Sequence, residues 1–269
     1  MQPHRSRYWL NSNPADPEVF RQQAAAVCDT YEQARRLAEQ GIHVMSTDEK
    51  TGIQALERLY PDIPMGPGRV QGREYEYKRH GTICLIANLE IWCGWVVAPT
   101  LSPTRTEADF VGHIEQTVAT DPWAGWVFIV DNLNTHQSAS LVEYVAQACG
   151  ITEDLGEKEK HGILKDQASR AQFLAEQGHR IRFVYTPKHT SWLNQIEIWF
   201  GILVRKLLKR SSFCSLEDLK QRIGEFIDYF NRTMARPIQW LYSPRPRGAE
   251  STESEADDTR DPSLATTTG

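Results

Sequence analysis

One carboxylate, Glu197, stands in a helical run that is otherwise apolar: Leu193, Ile196, Ile198, Trp199, Phe200, Ile202, Leu203 and Val204. An unpaired buried charge there would be very costly, so a partner must exist. A divalent cation shared with other carboxylates is one of the few partners strong enough to hold it. Two further acids close short runs that favour strands: residues 42–48 end on Asp48, and the apolar residues 126–130 lead into Asp131. A continuous apolar run suits a strand buried on both faces, and the carboxyl ends of such strands are where open α/β sheets place ligands. Asp48, Asp131 and Glu197 therefore form a candidate triad from two strand ends and one helix. Three carboxylates can bind two Mg²⁺ ions and still leave coordination positions for water and phosphate oxygens.

The pieces Ser46-Thr-Asp48-Glu-Lys, Val130-Asp131-Asn-Leu-Asn-Thr-His136 and Pro187…Leu193-Asn-Gln-Ile-Glu197…Trp199 resemble the three acidic motifs of bacterial insertion-sequence DDE transposases related to the mariner superfamily. The resemblance runs over residues 42–242 and implies an α/β, RNase H-like fold: a central mixed five-stranded sheet flanked by helices, with a helical insertion between strand four and strand five. It also implies that Asp48, Asp131 and Glu197 are catalytic metal ligands for two ions, Mg²⁺ or Mn²⁺. The implied reaction is phosphodiester hydrolysis at transposon ends followed by strand transfer into target DNA, and pairing of two DNA ends would need a homodimer. The stretch before the glutamate departs from the commoner Pro-Tyr-Ser-Pro-x-Leu-Asn-Pro-Ile-Glu pattern at Lys188, His189, Thr190, Ser191 and Gln195, resembling one subgroup.

Spacing departs too, because 65 residues lie between Asp131 and Glu197, more than the superfamily's usual interval. Counting alone would nominate Asp166, with 34 residues between it and Asp131. Context favours Glu197: Asp166 sits in a polar helical stretch with no strand before it, whereas residues 180–185 read as the missing strand ahead of the glutamate. Around the acids, Asn132, His136 and Asn194 are candidates to hold or orient a ligand or water from behind, with cap and turn roles as the alternatives. Trp192 and Trp199 read as core, and Glu49 and Lys50 as surface.

The elements that must position these residues are visible in part. Asp16 reads as an N-cap with Pro17 at the first helical position, and Val27, Tyr31, Ala34 and Ala38 recur on one face until Gly41. Residues 73–89 and 91–97 read as two further strands joined by a turn near residues 88–90. A capped helix follows from Thr106, and another from Ser215. Residues 141–180 form the insertion, read as helical at 141–148 and 165–177 around an acidic loop.

Charge is divided along the chain. Residues 1–160 carry 14 Lys/Arg against 22 Asp/Glu, residues 161–248 carry 15 against 7, and residues 249–269 carry 1 against 6. A basic section beside the acids is what a DNA-cleaving domain would use to hold phosphates, and Lys188, Arg205, Lys206, Lys209 and Arg210 are the candidate DNA-binding residues. At about 100° per residue, Arg205 and Lys209 project roughly 80° and 120° from Glu197, on one flank of its helix. A solvated helix face is the plainer reading of the same charges.

At 269 residues and 40% hydrophobic content, the chain can bury one large α/β core or two smaller ones. No window of 18 apolar residues suggests a membrane span, and no Gly-rich phosphate loop suggests a nucleotide cofactor. Cys28, Cys84, Cys93, Cys149 and Cys214 lack Cys-x-x-Cys spacing, and His43, His113 and His189 lack His-x₃-His spacing. Reduced thiols and a cytoplasmic, nucleoid-associated location fit better than a zinc site.

Residues 1–40, with a single helix, read as a connector left from an N-terminal DNA-binding region; a helix-turn-helix reader needs two or three helices. Residues 41–248 read as the catalytic domain and 249–269 as a disordered acidic tail. Two other functions compete with that of a DNA transposase. One is a catalytically silent truncated remnant that binds DNA or full-length transposase; the other is an RNase H-like nuclease acting on another nucleic acid.

Overall fold

The computed structural model describes residues 16–72 and 76–242. The connector stretch 3–10, the tail 249–269 and the expected start of the second strand at Arg73 lie outside the described residues. Helix α1 (Pro17–Glu39) begins as read: the Asp16 carboxylate accepts from the backbone N–H groups of Glu18 and Val19, and proline occupies the first turn. Gly41 follows with φ +75°, a conformation that glycine adopts without strain. The chain then enters β1 (Ile42–Arg58).

Five strands form one mixed sheet in the order β3-β2-β1-β4-β7. Strands β2 (Tyr77–Glu90) and β3 (Val96–Ser102) run antiparallel to their neighbours, while β4 (Gly125–Val130) and β7 (Ile181–Tyr185) are parallel to β1 and to each other. This is the expected α/β architecture. Two strand limits differ from the sequence reading. Residues 91–94 form the turn, so the third strand is 96–102. The first strand runs on past Asp48 to Arg58, paired with β2, and it is β4 that ends near that acid.

Helices cover both faces. Met45, Phe128, Val130 and Phe183 face α2 (Glu107–Val118), α3 (Ala139–Cys149) and α4 (Gln167–Leu174). On the other side Val44, Val127 and Ile129 pack on α1, and Ile83, Leu85 and Ala87 on α5 (Ile196–Leu203) and α6 (Leu216–Thr233). Alternate residues of β1 and β4 thus serve opposite layers, as the pleat requires. The insertion is only partly helical. Between α3 and α4 the strands β5 (Gly156–Glu157) and β6 (His161–Gly162) pair as a small hairpin.

A buried polar chain fixes β1 against its neighbours. The Thr47 hydroxyl donates to Asn88 Oδ1 at 2.7 Å, and Asn88 Nδ2 donates to Thr117 Oγ1 of α2 at 2.8 Å. All three side chains are fully buried, so each bond forms without competition from water. His113, one turn earlier on α2, is also fully buried, with Nδ1 2.8 Å from the Thr100 hydroxyl. Burial holds its imidazole neutral, with the pKa lowered to about 3.

An imidazole neutral in the fold and free to protonate when unfolded stabilises the fold above its unfolded value near 6.5, and that contribution disappears as pH falls toward 3. Unfolding followed by denaturant between pH 7 and pH 4 is expected to show a loss of at least about 1 kcal/mol. His113→Gln is expected to flatten that slope.

Candidate functional site

The parallel pairing of β1 with β4 ends at Ser46 opposite Ile129. Asp48 and Asp131 each lie two residues further on, so both keep the parity of that last pair and extend side by side from the sheet. Asp48 is 7% exposed. Burial, and then the charge of Asp131 beside it, raise its pKa to about 7. Two acids that repel each other in a partly dry site are a fitting donor pair for a divalent cation, which would let both ionise.

Asp131 behaves differently because His136 stands against it. Burial pushes the Asp131 carboxyl up, but the bond to His136 and its charge outweigh that, and the pKa ends below the usual range. His136 is itself fully buried, with Nδ1 2.8 Å from Asp131 Oδ1 and Nε2 3.2 Å from Glu49 Oε1. Burial alone would keep the ring neutral; the two carboxylates overcome it and raise its pKa to about 10. His136 therefore bridges two acids as a cation. Its 3-10 turn (Asn134–Gln137) is braced by the insertion, where Arg170 of α4 donates to the Gln137 carbonyl at 2.7 Å. The Tyr185 hydroxyl at the end of β7 donates to the His136 carbonyl at 3.0 Å.

Glu197 requires a correction. It is exposed on the first turn of α5, and Ile198 beside it is 41% exposed. The buried face of this helix is Ile196, Trp199, Phe200 and Leu203, at the spacing of a one-sided amphipathic helix. An apolar run does not imply burial on every side, so the costly buried charge inferred from the sequence does not exist. Among the described residues, no group of three or more His, Cys, Asp or Glu side chains is arranged to hold a metal ion. The structure brings Asp48 and Asp131 together and does not close the three acids into one cage.

What it does fix is the start of the helix that carries Glu197. Asn194 Nδ2 donates to the Thr47 carbonyl at 2.9 Å and to Asp48 Oδ2 at 3.3 Å, and its Oδ1 accepts from the Ser46 hydroxyl. Ser46 Oγ in turn accepts from the Ile196 N–H at 2.9 Å. Gln195, the residue at the N-cap, makes no side-chain cap bond, so a hydroxyl on β1 satisfies a helix-start donor that the local sequence leaves open. The Tyr31 hydroxyl of α1 adds a bond to the Leu193 carbonyl at 2.8 Å and accepts from the Gln195 N–H at 3.2 Å.

The other candidates sort plainly. Asn132 donates to the Thr186 carbonyl and accepts from Gln137 at 3.0 Å, tying the ends of β4 and β7 together. Lys188 is exposed and lines a cleft of about 410 Å³ with Asp131, Asn132, Thr186 and His189. Arg205, Lys206, Lys209 and Arg210 are all exposed. Residues Val204–Leu208 form a π-helical turn, so the 100° rotation assumed for Arg205 and Lys209 does not carry through it. Asp166 is an exposed N-cap that accepts from the Ser169 N–H, which is a structural role.

Trp199 is core, but Trp192 is 50% exposed, edge-on to Tyr242, contrary to the sequence reading. Glu49 was read as surface, yet its side chain is 4% exposed. Its pleat parity, opposite to that of Asp48, carried the signal. Ser46 was findable too, two residues before Asp48 on the same face, whereas nothing local marks Tyr31. Arg105, between β3 and α2, was also passed over; its charge helps hold Asp131 low.

A family model described as DDE superfamily endonuclease matches residues 43–220. No curated protein matches the chain. Among solved structures, it is similar to the crystal structure of the Mos1 mariner paired end complex with Mn, at 10% identity and a TM-score of 0.50, over 83% of this chain and 59% of that one. It is also similar to the pre-cleavage Mos1 transpososome (11% identity, TM-score 0.49, 83% and 59% of the two chains). A third is the Mos1 Strand Transfer Complex (12% identity, TM-score 0.48, 83% and 58%). The chain thus spans about 59% of the length of the first of these, and at such identities the likeness is one of fold.

Ser46→Ala would leave the Ile196 N–H and the Asn194 side chain short of a buried partner. Equilibrium unfolding is expected to register a loss of about 1–3 kcal/mol, and hydrogen exchange is expected to speed up at residues 194–198.

Proposed function

The chain belongs to the DDE superfamily of endonucleases, and from that premise we propose that it is the catalytic part of a DNA transposase, cutting and joining phosphodiester bonds at transposon ends. The observation that carries the reading is the pair Asp48 and Asp131, aligned where the pairing of β1 with β4 ends, with Asp48 raised to about 7 by burial and by its neighbour. Residues 41–248 are the proposed catalytic unit.

Asp48 and Asp131 are the proposed first two ligands for two Mg²⁺ or Mn²⁺ ions, with Glu197 the third. Bound there, the ions would lower the pKa of the attacking water or 3′-hydroxyl and neutralise charge on the leaving oxygen. The chain's own groups supply the rest. Asn194 holds the Asp48 carboxylate, and the Glu197 N–H is bonded to the Asn194 carbonyl at 3.1 Å, which ties the third acid's backbone to the first acid's side chain. From its exposed position, a side-chain rotation of Glu197 is the movement the proposal requires. His136 holds Asp131 ionised and oriented. Lys188, Arg205, Lys206, Lys209 and Arg210 are the proposed contacts to DNA phosphates, and two DNA ends would call for two copies of the chain.

Cleavage of a labelled duplex carrying a transposon end, in Mn²⁺ or Mg²⁺, tests this directly. Asp48→Asn, Asp131→Asn and Glu197→Gln are each expected to lower the cleavage rate by roughly a hundredfold or more, EDTA to abolish it, and Asp166→Asn to leave it unchanged. Unaltered cleavage by Glu197→Gln would remove Glu197 from the site. DNA binding without cleavage by the native chain would favour a catalytically silent DNA-binding protein.

A further inference from the structure

The turn at residues 187–190, between β7 and the 3-10 turn that leads to α5, contains a strained residue that the fold does not use. His189 has φ +63°, the left-handed region that side chains with a Cβ avoid and glycine occupies freely. Two other non-glycine residues among those described have positive φ, Ala98 and Glu159, and neither lines the cleft beside Asp131. The turn is tightly made. The Thr190 hydroxyl donates to the Pro187 carbonyl at 2.5 Å, and Thr186 and Thr190, on either side, are each 1% exposed. Lys188 and His189 are the exposed residues between them. Among the described residues the exposed His189 ring has no hydrogen-bond or ion-pair partner, so no internal polar bond holds a residue with a side chain where glycine would fit.

Strain retained without internal return points to a ligand outside the chain. The cleft that His189 and Lys188 line has the Asp131 carboxylate in its wall. A nucleic-acid strand entering there must bring its phosphates near a negative charge, which makes cations and N–H donors on the same wall the natural compensation. We propose that His189, together with Lys188, grips the backbone phosphate next to the one undergoing reaction. The imidazole N–H donates to a non-bridging oxygen and the strained turn aims it. This rests on the reading of the chain as a DNA-cutting enzyme.

The test is fluorescence anisotropy with two labelled duplexes of unrelated sequence, in EDTA so that neither is cut, alongside thermal unfolding of each protein. His189→Ala and His189→Gly are both expected to weaken binding roughly three- to tenfold, by the same factor for the two duplexes, as a phosphate contact requires. His189→Gly is expected to unfold at or above the wild-type temperature. Equal binding by wild type and both variants overturns the inference while leaving the nuclease reading intact. A fall in both binding and unfolding temperature in His189→Gly overturns it in favour of a structural role, and a loss confined to one duplex overturns it in favour of a base contact. Absence of binding by the wild type itself would instead strike the DNA-cutting reading on which it stands.

Discussion

The parallel pairing of β1 with β4 is the constraint from which the rest of the site follows. Pairing of Ser46 with Ile129 leaves Asp48 and Asp131 level with each other, and a slip of one residue in either strand would turn one acid to the opposite layer. The register is secured from both sides of the sheet. Apolar residues of alternate parity bury into α1 on one side and into α2 and α3 on the other, and the Thr47–Asn88–Thr117 chain locks β1 to β2 and α2. The electrostatic cost of placing two carboxylates together is thus held in place by packing at some distance from them.

The same face of β1 also determines where the helix after β7 begins. Ser46 and Asp48 share a parity, and between them they engage Ile196 and Asn194. His136 does the corresponding work on the other side, where its ring joins Asp131 to Glu49, a residue of the opposite parity to Asp48. β1 therefore sends alternate side chains to two different supports of one site.

Much of the fold was legible because its signals are local. The apolar run at 126–130 suits an interior strand, and Asp16-Pro17 suits a helix start, and both elements form there. Strand pairing then brings Asp48 and Asp131 near each other, as their places at the ends of two strand-like runs imply. What misled was inference from composition to environment. The apolar residues around Glu197 do bury one face of α5, but period 3.6 leaves the opposite face in water, and Glu197 and Ile198 lie there. Trp192 and Glu49 failed in mirror image, a large aromatic left at the surface and a charged residue drawn inside by a histidine 87 positions away in the chain. Contacts at that separation, like those of Tyr31 with the start of α5, leave no periodic trace. The insertion was seen as a length anomaly, while its service to the His136 turn through Arg170 depended on tertiary contact.

The hydroxyl of Ser46 has an implication for how the acid-bearing helix is placed. Because the first turn of the helix that carries Glu197 is anchored to the opening strand, its location is set by those bonds rather than by the length of chain between Asp131 and Glu197. The hairpin and α4 lie in that interval, and neither supplies the bonds that fix the start of α5. The position of Glu197 relative to Asp48 is thus set by contacts of Ser46 and Asn194 and not by the number of residues that separate it from Asp131.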